Sequence, residues 1–316
     1  MEYRKLISFG KSSFVVSLPK SWVKNNKLKK GDLIYFDEKD SYLMLRPHEI
    51  EQQEDRVTTI LVDGKSLALI RRELNAAYIE NYREITFKGK ELKEKSEQIL
   101  KYIRDLIALE VLEIDSNKII TKDFLNMNKV SIIELLKKMD IIVRSMLKDC
   151  SQCFAEKNAT NIALRDEDVN RLSFLLYRVI RHGMQNQTMI FKNYNLSSID
   201  LLNCYWATFH LEAIADETKR VSRVMQIAIL SAKKQQEFVA LLKRAEDFYL
   251  EMIKAQYSKN REKAFELSNW KGPLVQAVNA FYNENSPGSK EISYMIDRFR
   301  RMIGAIHELD RLTYQY

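Results

Sequence analysis

The residues with the most evident chemistry stand at the start of the chain. Among residues 1–30, eight are Lys or Arg (Arg4, Lys5, Lys11, Lys20, Lys24, Lys27, Lys29, Lys30) and one, Glu2, is acidic. That segment carries seven of the whole chain's formal net charge of +8. A basic concentration on one short stretch is the electrostatic footprint expected for a nucleic acid. Arg4, Lys5, Lys11, Lys20 and Lys24 are the candidates to lie along phosphates, with Ser12 and Ser13 adding hydroxyl contacts. The bland alternative is a solvated surface, since Lys-rich helices are common. No residue can be assigned to base edges from the sequence, so these contacts position a duplex without reading it.

Other chemistries are poorly supplied. None of the four histidines (His48, His182, His210, His307) has a Glu three residues before it, so the Glu-x-x-His ligands of a di-iron helical bundle are missing. The chain has neither a Walker-type phosphate loop nor a Ser-centred elbow, and the expectation is a non-enzyme. Cys150 and Cys153 form a lone Cys-x-x-Cys, a weak zinc or redox signal without a second pair. Three cysteines are too few for a disulfide framework, which fits a reducing compartment. No apolar leader and no run near 18 apolar residues is present, so a soluble, cytoplasmic protein without membrane insertion is expected.

The elements that must position the basic residues read as β-β-α-β-β over residues 1–47. Alternation in Tyr3–Ile7 and Phe14–Leu18 predicts two strands around a Gly-Lys-Ser-Ser turn. Pro19 suits a helix start and Gly31 the position past its end. "DLIYF" and "YLMLR" then form a hairpin across "DEKDS". Such a unit is too small to bury a core unaided, so a second copy is expected to complete it. Phe14, Val16, Leu18, Trp22, Leu33 and Tyr35 are the candidates for the shared interior.

A polar stretch, residues 48–56, reads as a linker. Residues 57–125 alternate strand and helix patterns and end in a hairpin, a small α/β domain with no chemical motif. From about 128 onward, apolar residues recur at spacings of three and four. Six helices follow, three and then three of similar length, over 128–230 and 233–316. This suggests a duplicated three-helix bundle. The fold class expected is α+β and multidomain.

Two parts of the chain resemble one family. "MEYRKLISFGKSSFVVSLPKSWVKNNKLKKGD", with "SLPKSW" and "LKKGD" as its most specific stretches, resembles the AbrB/SpoVT swapped-hairpin domain fused to archaeal PhoU-like proteins. "RDEDVNRLSFLL" (165–176) and "LEAIADETKRV" (211–221) resemble the acidic motifs of PhoU, a duplicated three-helix bundle that regulates phosphate uptake. The resemblance implies an intertwined homodimer through residues 1–47 that binds DNA, joined to a bundle that senses phosphate status. A phosphate transporter or a signalling protein is a further partner it implies. It also implies a metal held by Asp166 and Asn170 on one helix and Glu212 and Asp216 on the next. Both pairs are spaced i, i+4 and so share a helix face. Their oxygens suit Mg²⁺, Mn²⁺, Ca²⁺ or iron. The alternative is a charged face whose acids pair with Arg165, Arg171 or Lys219. In the second repeat Glu212 aligns with Gly304 and Asp216 with Glu308, so one acid of the pair is lost there.

The expected function is a phosphate-responsive, DNA-binding regulator of phosphate uptake. The alternative is an interaction protein that acts on a transporter or sensor kinase, with residues 1–47 only dimerising.

Overall fold

The computed structural model describes residues 3–11, 13–39, 42–47, 56–156, 158–186, 194–285 and 289–315. They divide into two compact units, residues 1–54 and 55–316.

In the first unit β1 (Ile7–Phe9) and β2 (Ser13–Val15) pair antiparallel, with Ile7 opposite Val15. Gly10 opens the turn at φ +72°, where a side chain would be strained. Helix α1 (Lys20–Asn25) follows Pro19, and β3 (Tyr35–Lys39) and β4 (Tyr42–Arg46) form a second hairpin. Two details differ from expectation. The helix stops well before Gly31, because Lys27 takes a left-handed φ of 54° and the Leu28 N–H donates to the Val23 carbonyl at 3.0 Å. That is the geometry of a Schellman stop. Asn26 helps end the helix, its side-chain amide donating back to the Trp22 carbonyl at 2.8 Å. Gly31, at φ +99°, instead serves the next turn, where the Lys29 N–H donates to Asp32 Oδ2. The second hairpin is also tighter than read, since "DEK" of the expected loop lies in β3. The linker expected at 48–56 lies, except for Arg56, outside the described residues.

Among the described residues of this unit none is buried. Phe9, Phe14, Leu33 and Phe36 are 65–71% exposed. Of the six residues expected in a shared interior, Phe14, Val16 and Leu33 are exposed and Leu18, Trp22 and Tyr35 half-buried.

The second unit begins with β5 (Val57–Leu61), α2 (Leu67–Ile79) and β6 (Glu84–Lys88), then α3 (Leu92–Arg104), β7 (Leu109–Ile114) and β8 (Lys118–Asp123). The sheet order is β5-β6-β8-β7. β5 and β6 are parallel, as a connection through α2 requires, and the other pairs are antiparallel. Ile60, Ile70, Leu74, Ile85, Phe87 and Ile99 form its core.

Helices α4 (Ile132–Cys150), α5 (Ala159–Gln185), α6 (Ser198–Met225), α7 (Ala232–Tyr257), α8 (Arg261–Ser268), α9 (Lys271–Asn285) and α10 (Lys290–Gln315) complete the chain. Ser131, Ser197, Ser231 and Asn260 start α4, α6, α7 and α8, each side chain accepting a backbone N–H of the first turn. The expected fifth helix is two helices, α8 and α9, broken at Asn269 and Trp270. Pro273 lies in the first turn of α9, where its missing N–H costs nothing but a continuous helix would be interrupted. The long α6 packs on α4, α5 and α10. The fold is therefore mixed α+β, with small sheets and a helical C-terminal region. Among the described residues no helix is long and apolar enough to cross a membrane.

Candidate functional site

The basic residues of the first unit are spread over three elements. Arg4 and Lys5 precede β1, Lys11 stands in the first hairpin turn, and Ser13 opens β2 opposite Phe9. Lys20 and Lys24 are one helical turn apart on α1, so their ammonium groups share a face. All six are exposed; Ser12 lies outside the described residues. The strands and the short helix thus hold the cations at the surface, and no acid of α1 offsets Lys20 and Lys24.

The second cluster sits where α5 meets α6. Asp166 shares a helix face with Asn170, and the packing of α5 on α6 buries it there. Lys219 of α6 reaches between the helices, its ammonium donating to Asp166 Oδ2 and, at 2.7 Å, to Asp216 Oδ1. The Asn170 amide donates to the same Asp166 oxygen at 3.1 Å. Arg220 binds the other Asp216 oxygen and reaches Glu217 Oε1 at 2.6 Å. Burial pushes the Asp166 carboxyl above its ordinary pKa in spite of Lys219. Burial also raises Glu212, and the charges of Asp216 and Asp166 add to it. For Lys219 burial acts downward, but its bonds to Asp166 and Asp216 outweigh it and hold the ammonium above the usual range.

Asp166, Asn170 and Asp216 are therefore brought together, while Glu212 feels their charge without a direct bond. The arrangement does not fit a metal. A lysine ammonium occupies the position between the two carboxylates that a divalent cation would take, and Asn170 presents a donor to the acid. Among the described residues no group of three or more His, Cys, Asp or Glu is placed to hold a metal ion. Of the three cations expected as partners, only Lys219 serves these acids; Arg165 pairs with Asp149 and Arg171 with Asp168. Glu308, which the expected repeat aligns with Asp216, pairs with Arg311 at 2.8 Å. Cys150 and Cys153 are free and buried.

Three polar features were not read from the sequence. Arg178 of α5 is fully buried and grips Asp123 of β8 at 2.7 and 3.0 Å and Asn81 at 2.8 and 3.1 Å, its guanidinium 4.5 Å from the centre of the Tyr78 ring. This joins the α/β part to the helices. Asp140 of α4, also buried, accepts from Tyr249 and Tyr257 of α7 at 2.8 and 2.9 Å and from Arg144 at 2.8 Å, which ties the two halves of the helical region. Asp310 of α10 is buried with no hydrogen-bond partner for either oxygen among the described residues. One available signal is a charged residue inside an apolar run, as in "SFLLYRVI" around Arg178.

No family model, curated protein or solved structure matches the chain.

Proposed function

We propose that this protein is a non-enzymatic, phosphate-responsive regulator of phosphate uptake that binds DNA through a homodimer of residues 1–47. One observation carries the reading: a unit with no buried residue among those described crowds eight Lys and Arg against one acid into its first 30 residues. Apolar side chains left in water at about 25 cal/mol per Å² favour burial against a like surface. A second copy supplies that surface and doubles the basic footprint on a duplex. The sequence resemblance to AbrB/SpoVT domains and to PhoU supports the DNA and phosphate parts. No metal enters this reading, because Lys219 fills the acidic cluster.

The second reading is an interaction protein whose helices bind a transporter or a sensor kinase. Adjacent Tyr205, Trp206 and Phe209 on α6, 39–44% exposed with ring centroids 5.9–6.0 Å apart, favour it. Exposed aromatic residues of this kind anchor protein interfaces.

A salt series separates the two. Each neutralised phosphate contributes a log–log slope of about −0.9, so roughly three contacts per protomer give a slope near −5 for the dimer. Lys11→Ala should shrink the slope by about two while preference among sequences stays constant. Duplex binding by a chain lacking residues 1–47 as tight as wild type sinks the DNA reading and leaves the interaction protein.

A further inference from the structure

We propose that the cleft between α7 and the α8–α9 break is a binding site for a free aromatic α-amino acid. The break that Pro273 imposes on the fifth helix leaves Trp270 standing out from the bundle, 41% exposed. Its ring lies 6.2 Å from that of buried Phe248 on α7. Trp270 walls a cleft of about 660 Å³ beside α7, with Phe248 closed beneath it, within the size range of small-molecule sites. An aromatic side chain resting there gains both area burial and a ring–ring contact.

The charges of the cleft select the rest of the ligand. Arg244, Asp247, Glu251 and Lys254 follow at i, i+3, i+7 and i+10, down the same side of α7. Glu251 and Lys254 neutralise each other as an ion pair. Arg244 and Asp247 have no ion-pair or side-chain hydrogen-bond partner among the described residues. A purely anionic ligand would meet Asp247, and a purely cationic one would meet Arg244. A zwitterion satisfies both, with its carboxylate on the Arg244 guanidinium and its ammonium on Asp247. The two residues are one helical turn apart, which suits opposite charges borne on a single carbon. A ring on that carbon's side chain then reaches Trp270. A peptide bears its two charges on different carbons, and an N-acylated amino acid lacks the ammonium.

Isothermal titration of the full chain with L-phenylalanine tests this, with 3-phenylpropionate, phenethylamine and N-acetylphenylalanine amide as probes lacking one or both charges. L-Phenylalanine should bind, and each deficient probe should bind about tenfold more weakly or worse, as expected for loss of a charge-assisted contact. Arg244→Ala and Asp247→Asn should each weaken L-phenylalanine by a similar factor, with circular dichroism confirming their fold. No heat from L-phenylalanine up to about 10 mM would overturn the proposal, that concentration corresponding to negligible affinity. Equal binding of the one-charge probes would also overturn it, and that comparison needs only the wild-type chain.

Discussion

Replacing Arg178 with Met should be the most damaging single change in the second unit. The side chain is fully buried, as is the Asp123 carboxylate that takes two of its four hydrogen bonds. Removing it leaves Asp123 charged in the interior with Arg83 as its remaining salt-bridge partner, and takes both donors from Asn81 Oδ1. Breaking a buried pair on one side costs about 3–5 kcal/mol. Arg83, itself only partly exposed, keeps a share of the carboxylate's solvation, so a loss of about 3 kcal/mol is the working figure. Tyr78 reports on the same site: burial pushes its phenol up to about 12, with Arg178 opposing the rise. In the variant that phenol should therefore titrate still higher. Urea unfolding of the full chain at pH 7, followed by far-ultraviolet circular dichroism, measures the loss. Asp123→Leu combined with Arg178→Met should cost less than the two single changes added together, because the double variant removes both fully buried charges and leaves only the partly exposed Arg83 without its carboxylate. A loss below about 1 kcal/mol, or strict additivity of the pair, would refute the argument that this guanidinium holds the α/β layer to the helices.

Phe14→Asp should convert a dimeric full chain to monomer in sedimentation, since it places a charge on the apolar surface left open in the first unit; an unchanged dimer removes residues 1–47 as the interface. Lys219→Met should destabilise the protein by about 2 kcal/mol at pH 7 by stranding Asp166, and the deficit should shrink as acid protonates that raised carboxyl. In wild type Mn²⁺ should leave the melting temperature unchanged; a rise that Asp216→Ala abolishes would return a metal to the cluster. Burial raises Asp310 to about 7. Its ionisation thus weakens the fold progressively as pH rises from the unfolded value near 4 to 7, the unfolded state having already released the proton. Asp310→Asn should accordingly be about 2–4 kcal/mol more stable than wild type at pH 8 and no different near pH 4. Equal stability of the two at both pH values would show that the carboxylate finds a partner in solution.

Much of the architecture follows from local pattern. Apolar spacing of three and four is enough to predict the long helices, because a helix face must be buried whatever it meets. Alternation and turn residues locate the later strands for the same reason, whereas the first hairpin closes tighter around Gly10, its strands at Ile7–Phe9 and Ser13–Val15 rather than Tyr3–Ile7 and Phe14–Leu18. The serine caps and the place of Pro273 are equally local, though apolar spacing alone predicts one continuous fifth helix where Pro273 breaks it. Gly31 is the stronger helix-end signal in the sequence, but Asn26 and the left-handed Lys27 stop α1 first.

The candidate sites divide along the same line. Sequence alone determined that positive charge is crowded into residues 1–30, because net charge is a sum over residue types. It also determined that Asp166 and Asn170 share one helix face and Glu212 and Asp216 another, because 3.6 residues make a turn. Only the tertiary structure decided what those faces meet. Lys219 lies three residues past Asp216 and could equally have pointed to solvent; the packing of α5 on α6 turns it between two carboxylates. The partners of Arg178 lie 55 and 97 residues away in the chain, and those of Asp140 lie 109 and 117 away. Pairings at such separations leave no periodic trace in a sequence, since they depend on which surfaces come together and on the need to satisfy each charge that is taken out of water.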